Sequence, residues 1–136
     1  MNLKRVALAV GAVFLAMFVL EFVIHEVLLG ELYKQTASVW RPAEQMGRYM
    51  GHMILSYFIY SVFFVIIYGK GYEAGKPGVG QGLRFGMLMG LLQAPAGALI
   101  WYSVLPIPAS LAFSWLAGGL ALNAVLGLVA GVLWKP

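Results

Sequence analysis

The chain contains no cysteine, and only 10% of its 136 residues carry charge. Without cysteine there is no disulfide framework, no thiol redox centre and no thiolate metal site. So little charge excludes an ordinary soluble surface, since about a quarter of a typical soluble chain is Asp, Glu, Lys and Arg. The signatures of enzymatic nucleophiles are also missing. No Ser or Thr stands beside a His and an acid at diagnostic spacing, and no phosphate-binding glycine loop is present. His25 and Glu26 begin an H-E-x-x-H pattern, but Leu29 stands where its second histidine belongs. A non-enzymatic protein is the expectation.

What is present is apolar: 62% of residues are hydrophobic and the mean hydropathy is +0.86. A helix rises about 1.5 Å per residue and needs about twenty residues to cross a hydrocarbon core of about 30 Å. Four such stretches, at about residues 6–29, 49–69, 83–105 and 111–134, consume nearly the whole chain. They predict an all-α polytopic membrane protein, a four-transmembrane-helix bundle forming one transmembrane domain, with the lipid bilayer as its main partner. The first stretch follows Lys4 and Arg5 as a signal peptide would, but it runs on to Leu29 without a small-x-small cleavage site and reads as a retained helix. Gly71, Gly75, Pro77, Gly78, Gly80 and Gly82 read as turn residues of the second connection, and Pro106 with Pro108 cuts the third to a tight turn.

The net charge of +4 is spread over loops and ends rather than gathered in a stripe, so anionic head groups, not nucleic acid, are its expected counter-charge. With the N-terminus inside, Lys4, Arg5, Lys70, Lys76, Arg84 and Lys135 fall on the cytoplasmic side and Lys34, Arg41 and Arg48 outside, a six-to-three bias. Tyr33, Trp40, Trp101 and Tyr102 at the outer side, with Tyr68, Tyr72 and Trp134 at the inner, form matching aromatic belts. Both signals predict an N-in/C-in protein of a cell membrane, the bacterial inner membrane being expected. The first loop, 30–47, reads as an interfacial anchor in which Trp40 and Arg41 grip head groups, or as a lid over an outward-facing cavity. Pro42 and Glu44 mark a helical first turn.

Gly82, Gly86, Gly90 and Ala94 recur at every fourth position, as do Gly119, Asn123, Gly127 and Gly131. Such ridges let helix backbones approach closely in lipid, either within the chain or across a homo-oligomer. Gln93 and Asn123 lie at comparable depth and are expected to bond each other or a substrate, and Pro95 is expected to kink its helix. The first two helices are rich in Phe and Tyr and the last two in Gly and Ala, which argues against an inverted repeat.

The sharpest polar signal lies in the first two stretches. Glu21 sits past the midpoint of the first, His25 follows at i+4 on the same face, and Glu26 is adjacent. A carboxylate at that depth has to be protonated, hydrated or paired. His52 is followed by Ser56 at i+4 and Tyr60 at i+8, and antiparallel packing places His52 at a depth similar to His25. Three readings stay open: a satisfied polar cluster that fixes helix register, a proton or cation site on Glu21 and His25, and metal or haem ligation by His25 and His52 with Glu21 or Glu26.

The stretch carrying His25, Leu28, Leu29, Tyr33, Trp40, Arg41, Pro42 and Met46 resembles a segment of small uncharacterised bacterial membrane proteins with about four helices, a resemblance that implies no activity. The four-helix size and Glu21 are also similar to small multidrug resistance transporters, whose first-helix glutamate exchanges protons for cationic drugs. Ile107, Pro108, Ala112, Phe113 and Trp115 echo one of that family's segments, although here they precede the fourth helix rather than the third. That second resemblance implies a proton-coupled transporter acting as an oligomer, set against a protein whose polar cluster is structural or binds a proton or cation.

Overall fold

The computed structural model describes residues 3–134; Lys135, counted above among the inner basic residues, and Pro136 lie outside the described residues. The first helix, α1 (Leu3–Phe22), continues without a break into a π-helical segment (Val23–Leu28). A short α2 (Gly30–Gln35) and a 3-10 turn (Ala37–Val39) follow, and then α3 (Ala43–Lys70), α4 (Gly78–Val104) and α5 (Ala109–Leu133). Four helices are long and apolar enough to cross a membrane, and no strand occurs among the described residues. The chain is a multi-pass, all-α, four-helix membrane protein.

Proline sets three of the helix starts. Pro42, Pro77 and Pro108 each occupy the N-cap position, and their carbonyls accept the first amides of the helices, as in Gln45 N to Pro42 O at 2.9 Å and Gln81 N to Pro77 O at 3.2 Å. The interfacial turn expected at Pro42 and Glu44 is therefore the start of α3 itself, which runs unbroken for 28 residues. Gly78, Gly80 and Gly82 are not loop residues: α4 begins at Gly78, five positions before the expected Leu83. Glycine disfavours helix on its own by about 1 kcal/mol per residue, a cost that close contact with α5 offsets at Gly78 and Gly82. α4 also continues through Pro95 to Val104.

The glycine ridges meet within one chain. A methyl group added at Gly127 would lie 2.7 Å from Gly86 Cα, one at Gly82 would lie 2.9 Å from Gly131 Cα, and one at Gly119 would lie 2.8 Å from Ala94 Cβ. Gly78 and Gly131 extend the same backbone-to-backbone contact to the lower end of the bundle. Against this pair, α1 contributes Ala9, Val13 and Met17, and α3 contributes Phe64, Val65 and Tyr68, to a core completed by Leu122, Leu126, Ala130 and Trp134. Below it, the Gln81 side chain staples the α3–α4 connection, accepting from Glu73 N at 2.8 Å and donating to the Glu73 and Lys76 carbonyls at 3.0 Å. The Glu73 carboxylate pairs with Lys76 and, at 3.1 Å, with Arg84.

The upper half, at the end carrying α2, is built differently. α3 packs against α1, whereas α3 and α4 stand farther apart and meet through long side chains, Phe85 with Phe64 and Tyr68 in the lower half and Tyr60 with Gln93 at the base of the upper half. Above Tyr57, every residue of α3 from 43 to 56 is exposed. The upper end is roofed instead by Leu29, Ile107 and Leu111, around which Leu32, Tyr33, Val39, Trp40, Leu105 and Trp115 pack.

Candidate functional site

Beneath that roof runs a chain of hydrogen bonds linking three elements. Trp115 of α5 donates from Nε1 to the Tyr33 hydroxyl of α2 at 2.6 Å. That hydroxyl lies 2.6 Å from Nδ1 of His25, whose Nε2 lies 3.0 Å from Oε2 of Glu21. An indole can only donate, so the phenol oxygen accepts and its own proton is free for His25 Nδ1. A neutral imidazole that accepts at Nδ1 carries its proton on Nε2 and donates it to the carboxylate. Every donor then points the same way, and the chain ends on the carboxyl group of Glu21. Burial, against the Trp115 hydrogen bond and with the nearby Glu21 and Glu26 carboxylates, pushes the Tyr33 phenol above its usual value, so it remains a protonated donor.

Local structure delivers these groups. The i+4 relation of Glu21 in α1 and His25 in the π-helical segment that continues it brings them together on one side of the first helix, as expected from the sequence. From Val23 onward the helix widens into the π form, with Leu29 N bonded to Ile24 O at 2.9 Å. π-Segments of this kind recur at functional sites. Behind Tyr33, Trp40 donates to Thr36 Oγ1 at 2.9 Å, while its ring packs edge-on against Tyr33 and Trp115 at centroid distances of 5.5 and 6.0 Å. Trp40 is thus part of the roof, whereas Arg41 lies over the exposed Tyr49 ring at 4.3 Å.

A second polar group forms the floor. The Tyr60 hydroxyl donates to Gln93 Oε1 at 2.9 Å and also meets Asn123 Oδ1, while Asn123 Nδ2 donates to the Gly119 carbonyl at 2.8 Å. Gln93 and Asn123 are therefore joined through Tyr60 and not directly. A phenol carries one proton and serves one of the two oxygens at a time, so this floor keeps spare hydrogen-bonding capacity.

Between roof and floor lies a cavity of about 530 Å³. Glu21 and His25 face it from α1, and Gln93, Asn123 and five aromatic residues, Tyr33, Trp40, Tyr60, Trp101 and Trp115, complete its functional lining. This volume lies within the range of sites for small organic ligands. Glu21 is the better covered of the pair, with 18% of its side chain exposed against 37% for His25.

The remaining expected site residues lie apart. The pairs Phe14–Phe58 and Phe18–Tyr57 fix the antiparallel register of α1 and α3 and put His52 roughly level with Glu21. That is about one turn from the expected depth of His25, and the azimuth differs as well: His52 is exposed and rests on the Tyr49 ring of its own helix. Five residues at about 100° each turn it about 140° from the inward-facing Tyr57. The expected meeting of His25 and His52 does not form. Ser56 bonds the Met53 carbonyl at 2.7 Å, and Glu26 is exposed on the outside of α1. Among the described residues no three His, Asp or Glu side chains are gathered to hold a metal ion, and the two histidines make no axial pair for haem.

Sequence reasoning did not connect Tyr33, Trp40, Thr36 and Trp115 to the site, because their contacts are set by how α2 folds back over α5. The clue in the sequence was a run of hydrogen-bonding aromatic residues in a loop longer than a simple turn requires. Comparison of the chain with protein-family models, with curated proteins and with solved structures yields no match.

Proposed function

We propose that this protein is a non-enzymatic component of a cell membrane whose outer-half cavity binds a small organic cation in competition with a proton. The observation that carries this reading is the placement of the Glu21 carboxylate, held by His25, on the wall of a cavity lined by five aromatic residues. Aromatic faces attract a cation through their quadrupole, most strongly when water is excluded, and quaternary ammonium groups are the usual guests of such cages. The carboxylate supplies the counter-charge, and its proton supplies the competitor. In a transporter, that competition would couple cation movement to a proton gradient, and the resemblance to small multidrug resistance transporters makes this the second reading.

The six-to-three distribution of Lys and Arg supports an arrangement with the α2 end outside, as in a bacterial inner membrane. Single cysteines at Gln35 and Lys76 test it: an impermeant thiol reagent on intact cells labels position 35, and labelling of position 76 alone reverses the orientation.

The cation reading is tested by tryptophan fluorescence of the purified protein titrated with tetramethylammonium across a range of pH. Binding is expected to weaken as pH falls and to vanish in Glu21→Gln. Equal binding by that variant, or binding independent of pH, overturns the reading.

A further inference from the structure

The cavity has a roof, a floor and three walls, and the missing wall tells where its ligand comes from. The roof is closed by Tyr33 and Trp40, pinned to α5 through Trp115 and seated on Leu29, Ile107 and Leu111. The floor is closed by Tyr60, Gln93 and Asn123, below which α4 and α5 are in backbone contact. Walls come from α1, α4 and α5, but α3 supplies one lining residue, Tyr60, at its base. Above Tyr60, α3 has no partner on α4, so the cavity opens sideways between these helices at the level of the hydrocarbon core.

The rim of that opening has a specific chemistry. On α3 the inward face of the lower half, Tyr57, Tyr60, Phe64 and Tyr68, continues upward at i+3 and i+4 spacing as Met46, Met50 and Met53. These methionines are 50%, 45% and 43% exposed, in line with packed residues yet outside the buried core. Methionine is unbranched, flexible and polarizable, the residue type that moulds itself to alkyl chains of varied shape. Across the gap, Trp101 of α4 lines the cavity and is 52% exposed. An anionic group ringed by aromatics thus lies at the inner end of a slot whose mouth is apolar and adaptable.

We infer that the ligand is a membrane-resident amphiphile: an aliphatic chain bearing an amine or quaternary ammonium head, which enters from the outer leaflet between α3 and α4. The head sits by Glu21 among the aromatic rings, and the chain leaves past Trp101 and the methionine stripe into the bilayer. This rests on the cation reading above and adds to it the access route and the chain.

The test uses the full chain in nanodiscs of phosphatidylglycerol, whose head group carries no amine, titrated with tetramethylammonium and with butyl-, octyl- and dodecyltrimethylammonium. Partition measured in empty nanodiscs is subtracted, and Glu21→Gln is run alongside. Affinity that depends on Glu21 is expected to rise with chain length, by on the order of tenfold or more from tetramethyl to dodecyl, because each buried methylene adds to binding. Met53→Trp, a change at an exposed position, is expected to narrow the mouth and to reduce the ratio of dodecyl to tetramethyl affinity. If tetramethylammonium binds through Glu21 but chain length adds nothing and Met53→Trp leaves the ratio as it was, the ligand enters from water and the lateral route is wrong. If no member of the series shows binding that depends on Glu21, the cation reading itself falls.

Discussion

Trp115 and Tyr33, 82 positions apart in sequence, share a 2.6 Å hydrogen bond in which the indole is the donor. Because an indole cannot accept, this bond fixes the direction of the protons that lead through His25 to Glu21. It also ties α2 to α5, so the same contact holds the roof in place and orders the polar chain beneath it.

Removing the phenol oxygen should therefore cost more than one bond. Tyr33→Phe leaves both Trp115 Nε1 and His25 Nδ1 without a partner, at a cost of about 1–3 kcal/mol. Trp115→Phe added to it should cost less than it does alone, because its indole would already lack an acceptor. Unfolding of both single variants and the double variant in mixed micelles measures this, and additive losses would mean that the bond contributes nothing. The sign with pH follows from the raised Tyr33 phenol. Its contribution is full below the ordinary tyrosine value of about 10 and is lost as pH rises through the higher folded value, so Tyr33→Phe should weaken that alkaline loss.

Glu21 and His25 touch, whereas His52 faces away. A double-mutant cycle on Glu21→Gln and His25→Leu should show a coupling of about 0.5–3 kcal/mol, and one on Glu21→Gln and His52→Leu should be additive within about 0.5 kcal/mol. Stability measured in detergent decides it. Coupling to His52 as large as that to His25 would put both histidines in one site after all.

The glycines of α4 and α5 are not equivalent. A methyl group at Gly127 meets backbone atoms of Gly86 at 2.7 and 2.8 Å, which cannot yield, whereas one at Gly90 meets Leu120 and Asn123 atoms at 3.3 Å, two of them in side chains. Gly127→Ala should thus destabilise by about 1–3 kcal/mol, as overpacking does, and Gly90→Ala by less. Thermal unfolding of the two variants compares them directly; equal midpoints would remove the distinction.

At the opposite end, Lys76 and then Arg84, through their hydrogen bonds, hold the Glu73 carboxyl below its usual value. A group whose folded value is lowered contributes stability above its unfolded value and loses it as pH falls through the folded one. The protection of the Glu73 amide, bonded to Gln81, taken relative to the intrinsic exchange rate at each pH, should fall as the carboxylate is protonated. In Glu73→Gln that acid dependence should disappear; if it persists, the clasp has another cause.

The helices were legible because length and hydropathy decide what can cross a bilayer, and the contact of Glu21 with His25 because i+4 spacing is a property of one helix. Features set by two helices were harder. Counting placed His52 to within about a turn of its depth, but its azimuth depends on how α3 rotates against α1. The intrachain pairing of the glycine ridges was one of two options, and only the fit of Gly82 with Gly131 and of Gly86 with Gly127 decides it. Tyr60 was noted for its spacing from His52, yet its partners lie on α4 and α5. Gly78 to Gly82 read as a loop because propensity is local, while their close approach to α5 is not.

The π-helical segment carries a further implication. Its hydrogen bonds span five residues where an α-helix spans four, so Val23–Leu28 holds one residue more than an α-helical turn accommodates. Losing one that makes no contact in the site, such as the exposed Val27, lets the segment rewind as ordinary α-helix and turns Glu21 by about 100° relative to the roof. Across generations, then, the site is guarded by the number of residues in 23–28 as well as by the identity of His25: an in-frame loss of the Val27 codon disarms Glu21 while leaving every polar side chain of the cavity intact.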